Sequence, residues 1–188
     1  MEHIVVPEKV EMNLLIDLDG VVCAYDFPYL TQKYFGVTIP NNGIYTYSIE
    51  DSLGVPSKDV IDMFDVEVHS PPNTIRWAKT ALEGFIAADY DVGIFTSRLT
   101  WMTIAELRDW LDKYEIPYTS IITNSTLPSY AHAHVDDSPT KLMNVARAIE
   151  VKHSILYTNP WNVNCLNITG TLKRAKNWKE VKEIVYGR

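Results

Sequence analysis

The chain has 188 residues, of which 46% are hydrophobic and 22% charged, proportions that are typical of a globular protein and exclude a disordered one. This length allows one well-packed domain with a small appended subdomain, but not two full domains. Acidic residues outnumber basic ones by 24 to 17, which gives a net charge of −7. A surface of this sign is not expected to attract polymeric nucleic acid or an anionic membrane.

The start of the chain and its cysteines indicate the compartment. The sequence MEHIVVPEKVEMN lacks the basic start and the long apolar stretch of a signal peptide. No apolar run approaches the roughly 18 to 20 residues that span a bilayer. The two cysteines, Cys23 and Cys165, suit reduced thiols better than a disulfide scaffold. We therefore expect a cytoplasmic protein.

Short apolar runs alternate with amphipathic segments along the chain. Runs with the character of buried strands occupy residues 12–18, 91–96, 118–123, 133–136, 154–157 and 165–168. Helical periodicity is found in residues 74–90, 104–114 and 142–149. Ser138 and Pro139 are a capping residue and a first-turn proline for the last of these helices. The alternation predicts a doubly wound α/β fold, a parallel sheet with helices on both faces.

Residues 23–72 interrupt this alternation. They are rich in turn-forming residues and aromatics, and no helix leads directly back to the sheet. A connection of this length is usually functional or has structure of its own. We predict a small, mostly helical cap inserted after the first strand, with residues 1–22 and 73–188 forming the core. The alternative is a surface excursion that its own aromatics stabilise.

The strongest indication of function lies at the end of the first predicted strand, where the sequence reads DLDGVV. Ligands of parallel α/β sheets bind beyond the carboxyl ends of the strands, so Asp17 and Asp19 lie where a site is expected. Gly20 lets the backbone bend away directly afterwards. A second acidic pair, Asp136 and Asp137, follows the fourth predicted strand. If the first and fourth strands are neighbours, four carboxylates converge at one edge of the sheet.

Such a concentration of negative charge requires a cation or a shared proton. Carboxylate oxygens suit Mg²⁺, which prefers one or two carboxylates together with substrate phosphate and water. Each acidic pair also has a simpler interpretation, as an Asp-Gly turn and as the N-terminal cap of a helix. The position of both pairs at strand ends favours a metal site.

Another strand end carries hydroxyl groups and a cation. Thr96 and Ser97 follow the apolar run of residues 91–95, and Arg98 comes next. Two hydroxyls at such a point can donate hydrogen bonds to phosphate oxygens, and an arginine can add a charge-assisted one. An ordinary Ser/Thr turn is the alternative.

Taken in chain order, these motifs resemble those of the haloacid dehalogenase (HAD) superfamily of phosphatases: DxDGVV, a strand ending in Thr-Ser, and Asp-Asp after a later strand. Within that superfamily the sequence is most similar to the 5'(3')-deoxyribonucleotidases, the cytosolic type C 5'-nucleotidases. The inserted cap, the Thr-Ser-Arg tripeptide and the sequence YTNPWN at residues 157–162 support this likeness, which spans roughly residues 12–187.

The resemblance implies a mechanism. Asp17 would attack phosphorus and form an aspartyl-phosphate. Asp19 would protonate the leaving alkoxide and then activate water. Mg²⁺ would be held by Asp17, the backbone carbonyl of Asp19 and one of the acidic pair, with Asp137 preferred and Asp136 acting through water or through its neighbours.

One departure from the family's pattern concerns its third motif, which supplies a lysine shortly before the strand of the acidic pair. Residues 123–132 contain neither lysine nor arginine. Lys141 and Arg98 are both placed to compensate the clustered anions, and the sequence does not decide between them. Thr96 and Ser97 keep their implied role of binding the transferring phosphoryl group.

The resemblance also implies a nucleoside monophosphate substrate whose base stacks on aromatic side chains. The candidates for stacking are Phe27, Tyr29, Tyr45, Tyr47 and Trp77. For any single one of them, a place in the apolar core of the cap is the simpler interpretation. Two other functions stay open: a phosphatase of another small phosphomonoester, and a catalytically silent nucleotide-binding protein, which the missing lysine suggests. A homodimer is left open as well.

Overall fold

The computed structural model describes residues 13–39, 48–165 and 172–187. Their elements are, in chain order, β1 (Asn13–Ile16), β2 (Cys23–Ala24), α1 (Phe27–Phe35), α2 (Ile49–Leu53), α3 (Ser57–Glu67), β3 (Asn73–Thr74), α4 (Ala78–Ile86), β4 (Asp91–Ile94), α5 (Ile104–Lys113), β5 (Ser120–Ile121), β6 (Tyr130–Asp136), α6 (Pro139–Ala148), β7 (Glu150–Tyr157), β8 (Leu172–Ala175) and α7 (Trp178–Tyr186). Single 3₁₀ turns follow β4 at Ser97–Thr100 and β5 at Asn124–Thr126.

Six of the described strands form one parallel sheet in the order β5-β4-β1-β6-β7-β8. The first strand is central, because β1 pairs with β4 on one side and with β6 on the other. Ile16, the last residue of β1, lies beside Ile94 and Val135. The carboxyl ends of these three strands therefore meet, as the sequence predicts for its first and fourth strands.

Side chains of β1 alternate between two apolar clusters on the two faces of the sheet, as the period of a strand requires. Leu14 and Ile16 belong to the larger cluster, to which α4, α5 and α7 contribute Phe85, Leu107, Leu111, Trp178 and Val181. Leu15 belongs to a smaller cluster with Val145 of α6. Helices thus cover both faces, and the predicted doubly wound α/β fold is confirmed.

The start of α6 fixes the residues that follow β6. The Ser138 hydroxyl accepts a hydrogen bond from the backbone N–H of Lys141, and Pro139 occupies the first turn. Ser138 is the capping residue that the sequence predicts, so the two preceding aspartates do not cap this helix with their side chains.

The insertion after β1 is mostly helical, as predicted, and contains α1, α2 and α3. These helices share a small apolar cluster of their own around Leu30, Ile49, Val60 and Met63. The short antiparallel pair of β2 and β3 joins the two ends of the insertion. The division into a core of residues 1–22 and 73–188 and a cap of residues 23–72 stays a prediction.

The last strand of the sheet lies later in the chain than the sequence suggests. Cys165 is in no strand, and the rest of the predicted run at 165–168 lies outside the described residues. The strand that pairs with β7 is Leu172–Ala175, which carries Lys173 and Arg174. A half-exposed edge strand lacks the continuous apolar run that marks a buried one, so periodicity does not find it. Among the described helices, none combines the length and the apolar character that crossing a bilayer requires.

Candidate active site

Asp17 is the first residue after the central strand. Its backbone N–H donates to the carbonyl of Val135 at 3.0 Å, which continues the pairing of β1 with β6 by one residue. Its side chain is almost fully buried, with 2% of the residue exposed. A carboxylate that is buried to this extent requires charge compensation from its neighbours.

Three carboxyl groups meet at this edge of the sheet. One oxygen each of Asp17, Asp136 and Asp137 lies within 4.8 Å of the others, and all three residues are buried. The side chain of Asp19 is outside this group and contacts Arg98 instead. The structure therefore brings together three of the four carboxylates that the sequence places here.

Neighbouring groups hold the acidic pair in place. Asp136 accepts a hydrogen bond from the backbone N–H of Ser138 through Oδ1 at 2.7 Å. Its other oxygen, Oδ2, is buried and accepts no hydrogen bond within the described residues, although His134 Nε2 lies 3.5 Å away. Asp137 accepts a hydrogen bond from the indole N–H of Trp161 at 2.7 Å. Oδ2 is therefore the oxygen of Asp136 that can bind a cation.

Burial and mutual repulsion dominate the electrostatics of the cluster. Burial, followed by the charge of Asp136, raises the pKa of Asp17 well above its usual value, against the lowering effect of Lys141. The same two causes raise the pKa of Asp137 to about 7. Simultaneous ionisation of the carboxyl groups is therefore unfavourable. A divalent cation bound between them would offset the repulsion between their charges.

Lys141 extends from the first turn of α6 toward the cluster. Its ammonium lies 3.3 Å from Asp17 Oδ1 and 3.7 Å from Asp136 Oδ2. Of the two cations that the sequence leaves open, Lys141 is therefore the one beside Asp17.

Arg98 is committed to a different carboxylate. Its guanidinium binds both oxygens of Asp19, with Nε 2.9 Å from Oδ2 and Nη2 2.8 Å from Oδ1. A third N–H, on Nη1, donates to the carbonyl of Val68 at 2.9 Å. Arg98 is itself buried. The structure shows it bound to protein groups, whereas the sequence suggests a phosphate ligand.

Of the two predicted hydroxyl residues, Ser97 borders the cavity above the carboxylates, and Thr96 borders a neighbouring groove that Lys141 also lines. Thr96 begins the 3₁₀ turn after β4, and its hydroxyl accepts a hydrogen bond from the backbone N–H of Arg98 at 3.2 Å. Ser97 borders the cavity above the carboxylates, as do Asp17, Asp137 and Lys141. The position of Ser97 suits an interaction with a group that is bound in this cavity.

Gly20 approaches the cluster closely. Its backbone has a positive φ of +81°, which side chains disfavour. A Cβ at this position would lie 2.8 Å from Cγ of Asp137 and 3.2 Å from the Asn159 amide nitrogen. Only glycine fits here without displacing a candidate metal ligand.

A cavity of about 290 Å³ covers the carboxylates. Its upper walls come from the insertion and from two core tryptophans, and they are mainly apolar: Tyr25, Phe27, Ile49, Val60, Phe64, Val68, Trp101 and Trp161, with Glu50. Neighbouring aromatic rings in this wall have centroids 5.3 to 5.9 Å apart. The wall is thus a continuous aromatic surface that faces the carboxylates.

The structure separates the predicted substrate residues. Phe27 borders the cavity. Tyr29 does not and is 58% exposed. Trp77 is 62% exposed and borders a separate groove against α7. Tyr45 and Tyr47 lie outside the described residues.

The substrate residues predicted from the sequence leave out four aromatic residues that line the cavity, namely Tyr25, Phe64, Trp101 and Trp161. One available signal was the spacing of Val60 and Phe64, which places both on one face of α3. Tyr25 and Trp101 have no comparable signal, because their positions depend on how the insertion packs on the core.

Solved structures with a similar fold include proteins described as HAD hydrolases. The chain is similar to a HAD-superfamily hydrolase from Ehrlichia chaffeensis, with 12% identity, a TM-score of 0.57 and coverage of 93% of this chain and 96% of that one. It is similar to a HAD hydrolase, family IA, variant 3, from Entamoeba histolytica, with 13% identity, a TM-score of 0.56 and coverage of 94% and 98%. A phosphoserine phosphohydrolase-like protein from Francisella tularensis has 11% identity, a TM-score of 0.55 and coverage of 92% and 99%.

No protein-family model matches the sequence, and no curated protein matches it either. The likeness to solved structures therefore establishes the fold alone, which is the α/β fold of the HAD hydrolases. The nearer resemblance to the deoxyribonucleotidases stays a prediction.

Proposed function

We propose that the protein is a magnesium-dependent phosphomonoesterase that works through an aspartyl-phosphate on Asp17. The observation that carries the proposal is the buried group of Asp17, Asp136 and Asp137 at the carboxyl edge of the sheet, with Lys141 beside Asp17. The HAD-type fold supports the same reaction class.

The residues present fit a small divalent cation. Three carboxylates can each offer one oxygen within 4.8 Å of the others, and Asp136 Oδ2 is buried without a hydrogen bond in the described part of the chain. Oxygen ligands of this kind suit Mg²⁺. The ligands in the proposal are Asp17, Asp137, Asp136 and the backbone carbonyl of Asp19. The bound ion neutralises charge on the carboxylates and on the phosphate, so that both can occupy the site together.

Asp17 and Asp19 divide the chemical steps between them. An oxygen of Asp17 forms a bond to phosphorus while the bond from phosphorus to the ester oxygen breaks. The leaving oxygen takes a proton from Asp19, which enters this step as the neutral acid, with the protonated oxygen released from Arg98. In the second step Asp19 takes a proton from water, the water oxygen bonds to phosphorus, and the bond to Asp17 breaks. Inorganic phosphate leaves, and both aspartates return to their starting states.

Three further residues bind the phosphoryl group in this proposal. Lys141 supplies positive charge beside the nucleophile, in place of the lysine that the family's third motif provides. The hydroxyls of Thr96 and Ser97 donate to phosphoryl oxygens, as the sequence predicts. Fixed donors around a transferring phosphoryl group are the main source of rate enhancement in this chemistry.

We further propose a nucleoside monophosphate as the substrate, with the base against the aromatic wall of the cavity. The support is chemical: Phe27, Tyr25, Phe64, Trp101 and Trp161 present ring faces and edges to the space above Asp17. Stacking on aromatic side chains contributes about 1 to 3 kcal/mol for each base. A smaller phosphomonoester is the second candidate, because the cavity is only about 290 Å³.

The first experiment is a phosphate-release assay of the purified protein with Mg²⁺ over deoxyribonucleoside and ribonucleoside monophosphates, sugar phosphates and phosphoserine. We expect turnover of nucleotides and loss of all turnover in Asp17→Asn. Turnover of sugar phosphates with no turnover of nucleotides would contradict the substrate class. Nucleotide binding without turnover, and without an adduct on Asp17 in beryllofluoride, would instead support a silent binding protein.

A matched pair of variants tests the aromatic wall. Phe27→Ala removes a ring that borders the cavity, whereas Tyr29→Ala removes an exposed ring of the same helix that does not border it. We expect Phe27→Ala to raise KM for nucleotides roughly tenfold, equivalent to the loss of one stacking contact. Tyr29→Ala should leave KM unchanged.

A further inference from the structure

We propose that Arg98 is a positioning residue that ties the carboxylate of Asp19 to the point where the chain leaves the inserted helices. One guanidinium makes both connections, so the orientation of Asp19 and the position of the end of α3 depend on each other. The kinetic consequence rests on the function proposed above, whereas the structural connection does not.

Arg98 makes several directional contacts with protein groups, unlike a solvated surface charge. Nε and Nη2 bind the two oxygens of Asp19 at 2.9 and 2.8 Å, and Nη1 donates to the Val68 carbonyl at 2.9 Å. The carbon of the guanidinium lies 4.1 Å from the centre of the Trp110 ring. A planar group with N–H bonds in several fixed directions makes this arrangement, and a lysine ammonium cannot reproduce it.

The second contact of Arg98 is with the segment that returns from the insertion to the core. Val68 directly follows α3, and the chain then continues through Ser70 to β3. The indole N–H of Trp110 donates to the Ser70 carbonyl at 3.1 Å. Two core side chains, Arg98 and Trp110, thus hold this return segment with hydrogen bonds, and they stack on each other.

Besides Arg98, the hydroxyl of Tyr25 interacts with the Asp19 side chain. That side chain is 27% exposed and lies outside the group of buried carboxylates. Arg98 binds both oxygens of Asp19, so it has the larger part in setting which way this carboxylate faces. A displacement of the return segment would pull on the guanidinium, which would have to release either Val68 or Asp19. A movement of the inserted helices therefore breaks one of the two connections, and Asp19 loses its present orientation where Arg98 keeps its hydrogen bond to Val68.

Amide hydrogen exchange of the free protein tests, without any substrate, whether Arg98 connects Asp19 to the return segment. Asp19→Asn keeps the size of the side chain but removes the charge that Arg98 binds. We expect faster exchange of the Val68, His69 and Ser70 amides, by roughly tenfold, because a hydrogen bond to a charged group is lost at the other end of the guanidinium. Asp136→Asn is the control, since it removes a buried carboxylate of the same site that does not touch Arg98.

Equal exchange in wild type and Asp19→Asn would overturn the proposal, as would equal acceleration in both variants. The kinetic test uses Arg98→Lys, which keeps the charge but not the several N–H directions. We expect kcat to fall roughly tenfold or more while KM changes less than about twofold, because Asp19 acts in the transition state rather than in substrate binding.

A fall in kcat with a parallel rise in KM would mean that Arg98 binds substrate, which contradicts a positioning role. If Arg98→Lys does not fold, the exchange experiment on Asp19→Asn still decides. The two proposals also fail separately. If the wild-type protein releases no phosphate but shows the exchange effect, the proposed function is wrong and the structural role of Arg98 stands. If the protein is active but shows no exchange effect, the proposed function stands and the structural role of Arg98 is wrong.

Discussion

The Lys141 ammonium lies 3.3 Å from the Asp17 carboxylate, although 124 residues separate them in the chain. Pairing of β1 with β6 accounts for the contact, since it places the start of α6 directly above the end of the central strand. Lys141 is also 3.7 Å from Asp136. One ammonium thus partly compensates two buried carboxylates.

Lys141→Met tests this position. We expect kcat for phosphate release to fall roughly a hundredfold or more, the loss that follows removal of one fixed donor to the charge developing in a transition state. Lys113→Met is the matched control, because Lys113 ends α5 with its ammonium over the Tyr114 ring and does not border the cavity. Steady-state kinetics with Mg²⁺ would measure both. Equal activity of the Lys141 variant and the wild type would show that another group compensates Asp17.

Gly20→Ala is expected to abolish activity and to weaken metal binding. The added methyl group would collide with the Asp137 carboxyl group, on top of the strain of a positive φ. Gly36→Ala provides the control, since Gly36 has a φ of +66° but no atom within 4 Å of the added carbon. Strain alone should lower the free energy of unfolding by about 1 kcal/mol in that variant and leave activity intact. Calorimetry with and without Mg²⁺ separates strain from collision, and similar behaviour of the two variants would contradict the close approach.

The stability of the metal-free protein should fall as pH rises. The pKa of Asp137 is about 7 in the folded protein, against 3.8 for an unperturbed carboxyl group. Between these values the folded state binds more protons than the unfolded state, so the free energy of unfolding decreases with pH. Mg²⁺ binds the ionised carboxylates and so offsets the stability that is lost at high pH. It should therefore raise Tm more at pH 8 than at pH 5. A Tm shift with Mg²⁺ that is equal at the two pH values would argue against ion binding at this cluster.

Asp17→Asn should abolish phosphate release and yet raise the Tm of the metal-free protein at pH 8. Burial and the charge of Asp136 disfavour the ionised form of Asp17 by more than Lys141 favours it. A neutral isostere removes that unfavourable charge, so stability and activity should change in opposite directions. Thermal unfolding in the presence of a chelator measures the first effect, and a lower Tm than wild type would mean that the pairing with Lys141 outweighs burial.

Local signals in the sequence were sufficient for the fold and for three of the four carboxylates that were expected to meet at the edge of the sheet. The apolar run before Asp17 predicts a buried strand, and the Ser138-Pro139 start of α6 is where the structure has it. The contact between Lys141 and Asp17 was one of two alternatives, because the distance between elements is not encoded in their periodicity. The pairing of Arg98 with Asp19 could not be predicted, since it depends on how the chain folds just after β1 and β4, which periodicity does not encode.

Aromatic residues show the same limit. The abundance of aromatics in the insertion is visible in the sequence, but which rings face the carboxylates depends on how three short helices pack. Phe27 faces the cavity and Tyr29, two residues later, does not. Periodicity distinguishes the buried face of a helix from its exposed face. It does not say whether that buried face meets a core or a cavity.

The pairing of β2 with β3 has a consequence for how this protein can change. Cys23 lies beside Thr74, and Ala24 lies beside Asn73, so the chain leaves the sheet domain and re-enters it at adjacent points. The entropic cost of closing a loop depends only weakly on the number of residues in the loop. Residues 25–66 are therefore open to replacement by shorter or longer segments with little effect on the six-stranded sheet, provided that Val68 and Ser70 keep their hydrogen bonds to Arg98 and Trp110. Substrate preference can diverge in that stretch while the carboxylate cluster stays where it is.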